Sequence, residues 1–314
     1  MLLNIVLLVV GFVLLIKGAD YFVEGASKIA EKLHIPQIVI GLTIVAFGTS
    51  LPEAAVSITS AYKGTASIGV GNIIGSNIAN VLLILGVAGM IGTLSLTKRT
   101  FKIETPFVIV IEAVLLAVGY FDGMLSRVDG AILWAFFLLF LYYLYRLTMK
   151  GEDTAIDDVP EVDADDKLWK LLLMLVLGGA AVVYGADLSV DSASAIASAF
   201  GVSERLIGLT IVSVGTSLPE LVTSVTASMK GKNDIAIGNI IGSNTFNVLF
   251  VLGTASLVAP AGIAFDPAFL KDGLIAIGAM LLFMVSINKD LQLRKAGAIL
   301  MFGCYVGYIL SLII

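Results

Sequence analysis

The chain of 314 residues has one cysteine, Cys304, and one histidine, His34. A single cysteine excludes an intrachain disulfide and says nothing about redox compartment. Cys304 reads as a small apolar side chain within a span. Charge is also scarce. Only 14% of residues are charged, against roughly 25% in an ordinary soluble domain. No Lys or Arg precedes Lys17, so the N-terminus lacks the basic region of a cleaved signal peptide. Residues 2–24 are therefore expected to be a retained first span.

What is abundant is apolar surface. Hydrophobic residues make up 58% of the chain, and mean hydropathy is +1.02. A soluble globule of this length would leave much of that surface in water. The composition excludes a soluble enzyme, a nucleic-acid binder and a disordered chain. A spanning helix takes about 20 apolar residues. Apolar runs predict spans near 2–24, 36–62, 69–92, 104–121, 128–147, 169–196, 205–229, 236–258, 270–287 and 293–313. The expected fold is an all-α integral membrane protein of ten transmembrane helices. The stretch 148–168 is the only long polar segment and separates two halves, 1–147 and 169–314.

The formal net charge of −5 is local in origin. Gly151 to Asp166 holds eight acids and no Lys or Arg, so the rest of the chain is net positive by three. This acidic run reads as a solvated connector, since it lacks the calcium-loop pattern of an EF-hand. Leaving out Lys17 inside the first span, loops on the side of the N-terminus hold four basic residues and loops on the other side hold 14. The positive-inside bias places both termini outside and the linker in the cytoplasm. It locates the protein in the cell membrane.

The two halves repeat. Residues 41–64 match residues 208–231 at 15 of 24 positions, and residues 68–86 match 235–253 at 13 of 19, both at an offset of 167. Five spans separate the copies, so they cross the membrane in opposite senses. An inverted repeat of this kind is a transporter architecture, with substrate near the midplane between the repeats.

The first repeated motif is Gly48-Thr49-Ser50-Leu51-Pro52-Glu53, copied as Gly215-Thr216-Ser217-Leu218-Pro219-Glu220. Proline removes a donor and clashes with the preceding helical turn, yet it suits the first turn of a helix. Each span is expected to break and restart at Pro52 and Pro219. The break frees carbonyls around Ala46 and Phe47, and around Ser213 and Val214. Broken backbone in a membrane is tolerated only where it lines a cavity or is buried in protein. A carboxylate at the bilayer centre costs at least ~2.5 kcal/mol on insertion scales. A glutamate that braces two helices would explain one such residue. It explains less well two of them, each behind a proline break in a duplicated motif.

The second motif, Gly71-Asn72-Ile73-Ile74-Gly75-Ser76-Asn77 with Asn80, returns as Gly238 to Asn244 with Asn247. Ser76 and Asn80 share a helical face, as do Ser243 and Asn247. On spacing alone, polar glue between helices and ion ligand are comparable readings for these four. Glue is the stronger reading for Asn77 and Asn244. All the candidate ligands carry oxygen, which suits hard cations such as Na⁺ or Ca²⁺ rather than zinc or copper. Two nearby acids titrate as a coupled pair, so protons are expected to compete with the cation.

These paired motifs resemble those of the cation/calcium exchanger family, specifically its prokaryotic-type Na⁺/Ca²⁺ exchangers. The resemblance implies an antiporter with alternating access, in which Na⁺ entry drives Ca²⁺ out and the first and sixth spans slide against a stationary bundle. Glu53 and Glu220 match the family's central acidic ligands. Thr49, Ser50, Thr216 and Ser217 match its hydroxyl and carbonyl ligands. Ala46 and Ser213 match positions that offer backbone carbonyls, and Ser76, Asn80 and Ser243 match ligands on the adjoining helices. Asn247 stands where some members carry Asp, which leaves two carboxylates and weakens the case for K⁺ co-transport.

No cofactor is expected; Na⁺ and Ca²⁺ are the transported ions, the bilayer is the partner, and a monomer suffices. H⁺-coupled or K⁺-dependent exchange is the alternative, with a passive channel behind it. A channel would be favoured by one ligand ring per subunit, whereas internal duplication favours alternating access. An intramembrane enzyme would leave Ser50 or Ser217 with no nearby base except a glutamate better explained as a ligand. Asp20 and Asp187 read as interfacial acids, His34 as solvated, and the aromatic cluster from Trp134 to Tyr145 as lipid packing and an interface belt. Glu112 lies within the fourth span, where the second half carries Ala279. Its default reading is a protonated or helix-bonded glutamate.

Overall fold

The computed structural model describes residues 2–62, 66–150, 167–201 and 213–313. Helix dominates because the runs are long, apolar and nearly free of internal proline. Among the described residues, seven helices are long and apolar enough to cross a membrane. A bent pair, Gln37–Thr49 with Leu51–Tyr62 at 52°, adds an eighth candidate. At the places expected for the fourth and seventh spans stand Thr105–Asp122 and Leu218–Met229. The start of the expected seventh span at 205–212, most of the acidic linker, Lys63 and Arg205 lie outside the described residues.

Burial divides the helices by role. The span Asn233–Val258 is 94% buried and Gly69–Ile91 is 78% buried, whereas Leu2–Lys32 is only 22% buried in its most apolar stretch. The two motif-bearing spans therefore form the centre, and the long first helix turns large apolar side chains such as Leu2, Val9 and Val13 outward. That first helix packs along Leu168–Ala199 through small residues. A Cβ added to Gly18 would stand 2.9 Å from the Gly178 carbonyl oxygen, and one added to Gly178 would stand 2.6 Å from the Phe22 nitrogen. Only glycine allows the two backbones this close, which is how helices gain contact in lipid.

Short extended pieces tie the halves together reciprocally. Met124–Leu125, after the Thr105–Asp122 helix, pairs antiparallel with Ile263–Ala264 of the second half. Leu291, in the turn after Pro267–Ser286, accepts a hydrogen bond from the Leu96 amide of the first half at 2.8 Å, and Leu293 donates to Leu94 at 2.8 Å. In each case a turn of one half holds the stretch that follows the other half's central span.

Candidate cation site

In both segments bearing the proline motif the backbone leaves helical geometry one residue before the helix restarts, and the first is bent by 52° there. Ser50 sits at φ −85°, ψ 11° and Ser217 at φ −89°, ψ 6°, in the bridge region between helical and extended backbone. The helices restart at Leu51 and Leu218, so Pro52 and Pro219 fall in their first turns. Glu53 and Glu220 also lie in those first turns. The helix N-terminus favours a negative charge there, which offsets part of the cost of taking a carboxylate out of water. The two acids are each 1% exposed and lie within electrostatic reach of one another.

The central spans depart from α geometry at equivalent points. A π-helical turn begins at Asn80 (Asn80–Leu85) and another at Asn247 (Asn247–Leu252). Such turns re-aim side chains and recur at functional sites. Asn80 and Asn247 are buried, and each donates across to the opposite half. The Asn80 Nδ2 donates to Asn244 Oδ1 at 2.9 Å, and the Asn247 Nδ2 donates to Asn77 Oδ1 at 3.0 Å. Each of these two amides thus acts as glue through its nitrogen while its oxygen remains unused.

That pattern extends across the site. Among the described residues, both oxygens of Glu53, Oε2 of Glu220, Oδ1 of Asn80 and Asn247, Oγ of Ser243 and Oγ1 of Thr223 are buried without a hydrogen-bond partner. Buried polar atoms are ordinarily satisfied, and a single orphan costs about 1–3 kcal/mol. A cation coordinated by oxygen removes that cost. Among the described residues no group of three or more Asp, Glu, His or Cys could hold a metal. What the geometry offers a cation there is two carboxylates and neutral oxygens.

The other predicted residues fall into place unevenly. Ser50 donates to Glu220 Oε1 at 2.9 Å, so it is joined to the acid of the opposite half. Ser217 instead meets the Ser76 hydroxyl at 3.5 Å. Thr49 Oγ1 lies 2.9 Å from Asn239 Oδ1 and 3.2 Å from the Val45 carbonyl, so its hydroxyl serves the frame. The Ala46 carbonyl accepts from the Ser50 amide at 3.0 Å. The Thr49 hydroxyl also lies 3.3 Å from it, so the break does not leave that carbonyl free. Thr216 and Ser213 occupy the matching turn Ser213–Thr216; the Ser213 side chain lies outside the described residues.

Two residues come forward that the motifs did not mark or did not account for. Thr223 follows Glu220 by three, on the same helical face, a spacing that could have signalled it; its image is Val56, so the repeat hid it. Glu112 accepts from Asn77 Nδ2 at 2.5 Å, so its partner is a neighbouring side chain. Farther out, Asp20 pairs with Lys230 at 3.1 Å. Asp187 lines a cavity of about 530 Å³ with Gly48 and Leu51. Of the aromatic cluster, Tyr143 is hydrogen-bonded to Glu104 and to Arg99, the latter at 3.0 Å. Trp134 donates to Thr254 at 3.1 Å.

Comparison with known proteins places this arrangement. A family model described as "Sodium/calcium exchanger protein" matches residues 3–146 and 170–314. The chain is 38% identical over 317 residues to a putative antiporter, CaxA, of Alkalimonas amylolytica, covering 98% of both chains. It is 33% identical over 346 residues to the sodium/calcium exchanger MaX1 of Methanosarcina acetivorans, again covering 98% of both. Solved structures of the sodium-calcium exchanger NCX_Mj superpose closely. The form soaked with 10 mM Na⁺ and zero Ca²⁺ gives a TM-score of 0.83 at 31% identity over 99% of each chain.

Proposed function

From the premise that this chain belongs to the sodium/calcium exchanger protein family, we propose that it exchanges Na⁺ for Ca²⁺ across the membrane by alternating access, Na⁺ entry driving Ca²⁺ out. A member of that family is a multi-pass membrane transporter rather than an enzyme. The observation that carries the reading is the set of unpartnered buried oxygens around Glu53 and Glu220. Two carboxylates balance one divalent charge, and several Na⁺ can share the same oxygens. Hard cations prefer such donors. MaX1 and NCX_Mj are both named for this exchange.

The proposed ligands are Glu53, Glu220, Asn80, Asn247, Ser76 and Ser243, with Ser50, Ser217, Thr49, Thr216 and the carbonyls of Ala46 and Ser213 at the two breaks. Ten spans in two inverted repeats, 1–147 and 169–314, would bring these together, joined by a cytoplasmic linker at 148–168. The reciprocal strand pairing and the matched backbone at Ser50 and Ser217 support that architecture. One chain contains the full ligand set, so the monomer is the transporting unit.

In proteoliposomes loaded with Na⁺, dilution into Na⁺-free buffer should drive ⁴⁵Ca²⁺ uptake. Glu53→Gln and Glu220→Gln should each abolish it. Uptake driven by a pH or K⁺ gradient, with no Na⁺ gradient, would replace the coupling ion. Full transport by both variants would remove the site.

A further inference from the structure

The crossed amide pairs are nearly two-fold symmetric, and Glu112 breaks the symmetry. Asn80 leans on Asn244, and Asn247 leans on Asn77. Asn244 directs its own amide nitrogen to the Asn77 carbonyl at 3.3 Å. Asn77 instead directs its amide nitrogen to the Glu112 carboxyl. Glu112 is 2% exposed, and Ala279 stands at its place in the second half, 3% exposed. An asparagine has one accepting and one donating end. With its donating end held by Glu112, Asn77 can present only its oxygen to Asn247. Asn247 must then donate at that contact, which leaves Asn247 Oδ1 as the unpartnered oxygen.

We propose that Glu112 is a positioning residue for the cation site: through Asn77 it fixes the amide of Asn247 with its oxygen available to the ion. Groups one shell behind a metal ligand commonly set its orientation, and their loss costs about 10–100-fold in affinity or activity. The second half manages without a carboxylate because a main-chain carbonyl holds Asn244. This inference rests on the exchange reading above, and Glu112 itself touches no ion.

The test is Na⁺-driven ⁴⁵Ca²⁺ uptake in proteoliposomes across a range of Ca²⁺ concentrations. Glu112→Ala copies the second half, and Glu112→Leu keeps more of the volume. Either should raise the Ca²⁺ concentration for half-maximal exchange by about tenfold. Glu112→Gln, which retains an accepting oxygen, should stay within about twofold. The deciding measurement repeats these changes on Asn247→Asp. A carboxylate has no donating end to misplace, so there the effect of Glu112→Ala or Glu112→Leu should shrink to about twofold or less. An equal fold-change in both backgrounds overturns the inference, as does unchanged half-saturation in the alanine and leucine variants. Failure of both to fold, with Glu112→Gln folded and active, assigns Glu112 to folding and overturns it too. No exchange by the unaltered chain would instead remove the exchange reading.

Discussion

At the scale of single residues, the site is framed by asparagines as much as by acids. Asn239 Oδ1 meets the Thr49 hydroxyl, and its nitrogen donates to Ser224 at 2.9 Å and to the Glu220 carbonyl at 3.4 Å. Its image, Asn72, donates to the image serine, Ser57, at 3.1 Å, but is only half-buried. Asn239→Leu would remove the hydrogen-bond partner of Ser224 and one of three acceptors around the Thr49 hydroxyl, and a stranded buried group costs about 1–3 kcal/mol. Thermal melting in detergent should therefore fall clearly for Asn239→Leu and less for Asn72→Leu. Equal losses would show that the bridge to Thr49 adds nothing. Glu53 and Glu220 were legible in the sequence because an acid in mid-span is costly in lipid unless it binds something, and this one recurs behind a second proline. The donor and acceptor ends of Asn80 and Asn247 were not legible. They depend on partners 164 and 170 positions away, and spacing within one helix carries no such information. Glu112 was visible as an oddity, yet its meaning came only with Asn77.

At the scale of elements, proline and glycine announced the two breaks, while the π-helical turns at Asn80 and Asn247 carried no such mark. A π turn is rare and occurs mostly as a single bulge inside an α-helix, often at a functional site. The glycine seam between Leu2–Lys32 and Leu168–Ala199 makes these helices a close pair. That pair is the element proposed to slide. The cavity of about 530 Å³ beside it is lined by Tyr184 and Val183 on one wall and by Phe47, Gly48 and Leu51 of the broken span on another. Both carboxylates are 1% exposed, so ions reach them only if something moves. In a Cys304→Ser background, cysteines at Phe47 and Tyr184 joined by a short, reducible cross-linker should stop exchange, and dithiothreitol should restore it. Exchange at the uncross-linked rate with the bridge intact would show that these walls need not separate.

At the scale of the whole molecule, the two halves hold each other by exchange of like parts. The turn at Met124–Leu125 grips Ile263–Ala264, and the turn at Leu291–Leu293 grips Leu94 and Leu96. If the halves are inverted in the membrane, these two clasps lie on opposite faces, and each end of the central spans is anchored. The distribution of charge then assigns the faces. Arg99 stands beside the Leu94–Leu96 clasp, and Lys289, Arg294 and Lys295 flank its partner. Few basic residues adjoin the Met124 clasp: Arg127 is close in sequence. A cytoplasmic excess of Lys and Arg would put the Leu94 clasp inside and the Met124 clasp outside, with both termini outside, which is the orientation we propose. In the Cys304→Ser background, a cysteine at Ser311, which is exposed near the C-terminus, should react with a membrane-impermeant maleimide applied to right-side-out vesicles. A cysteine at Lys289, in the turn on the other face, should react only after the membrane is opened. The reverse pattern would invert the molecule and, with it, the side from which Na⁺ enters. Reaction of both from outside would mean that the last helix, Lys295–Ile313, does not cross the membrane between them, and the count of ten spans would fall with that result.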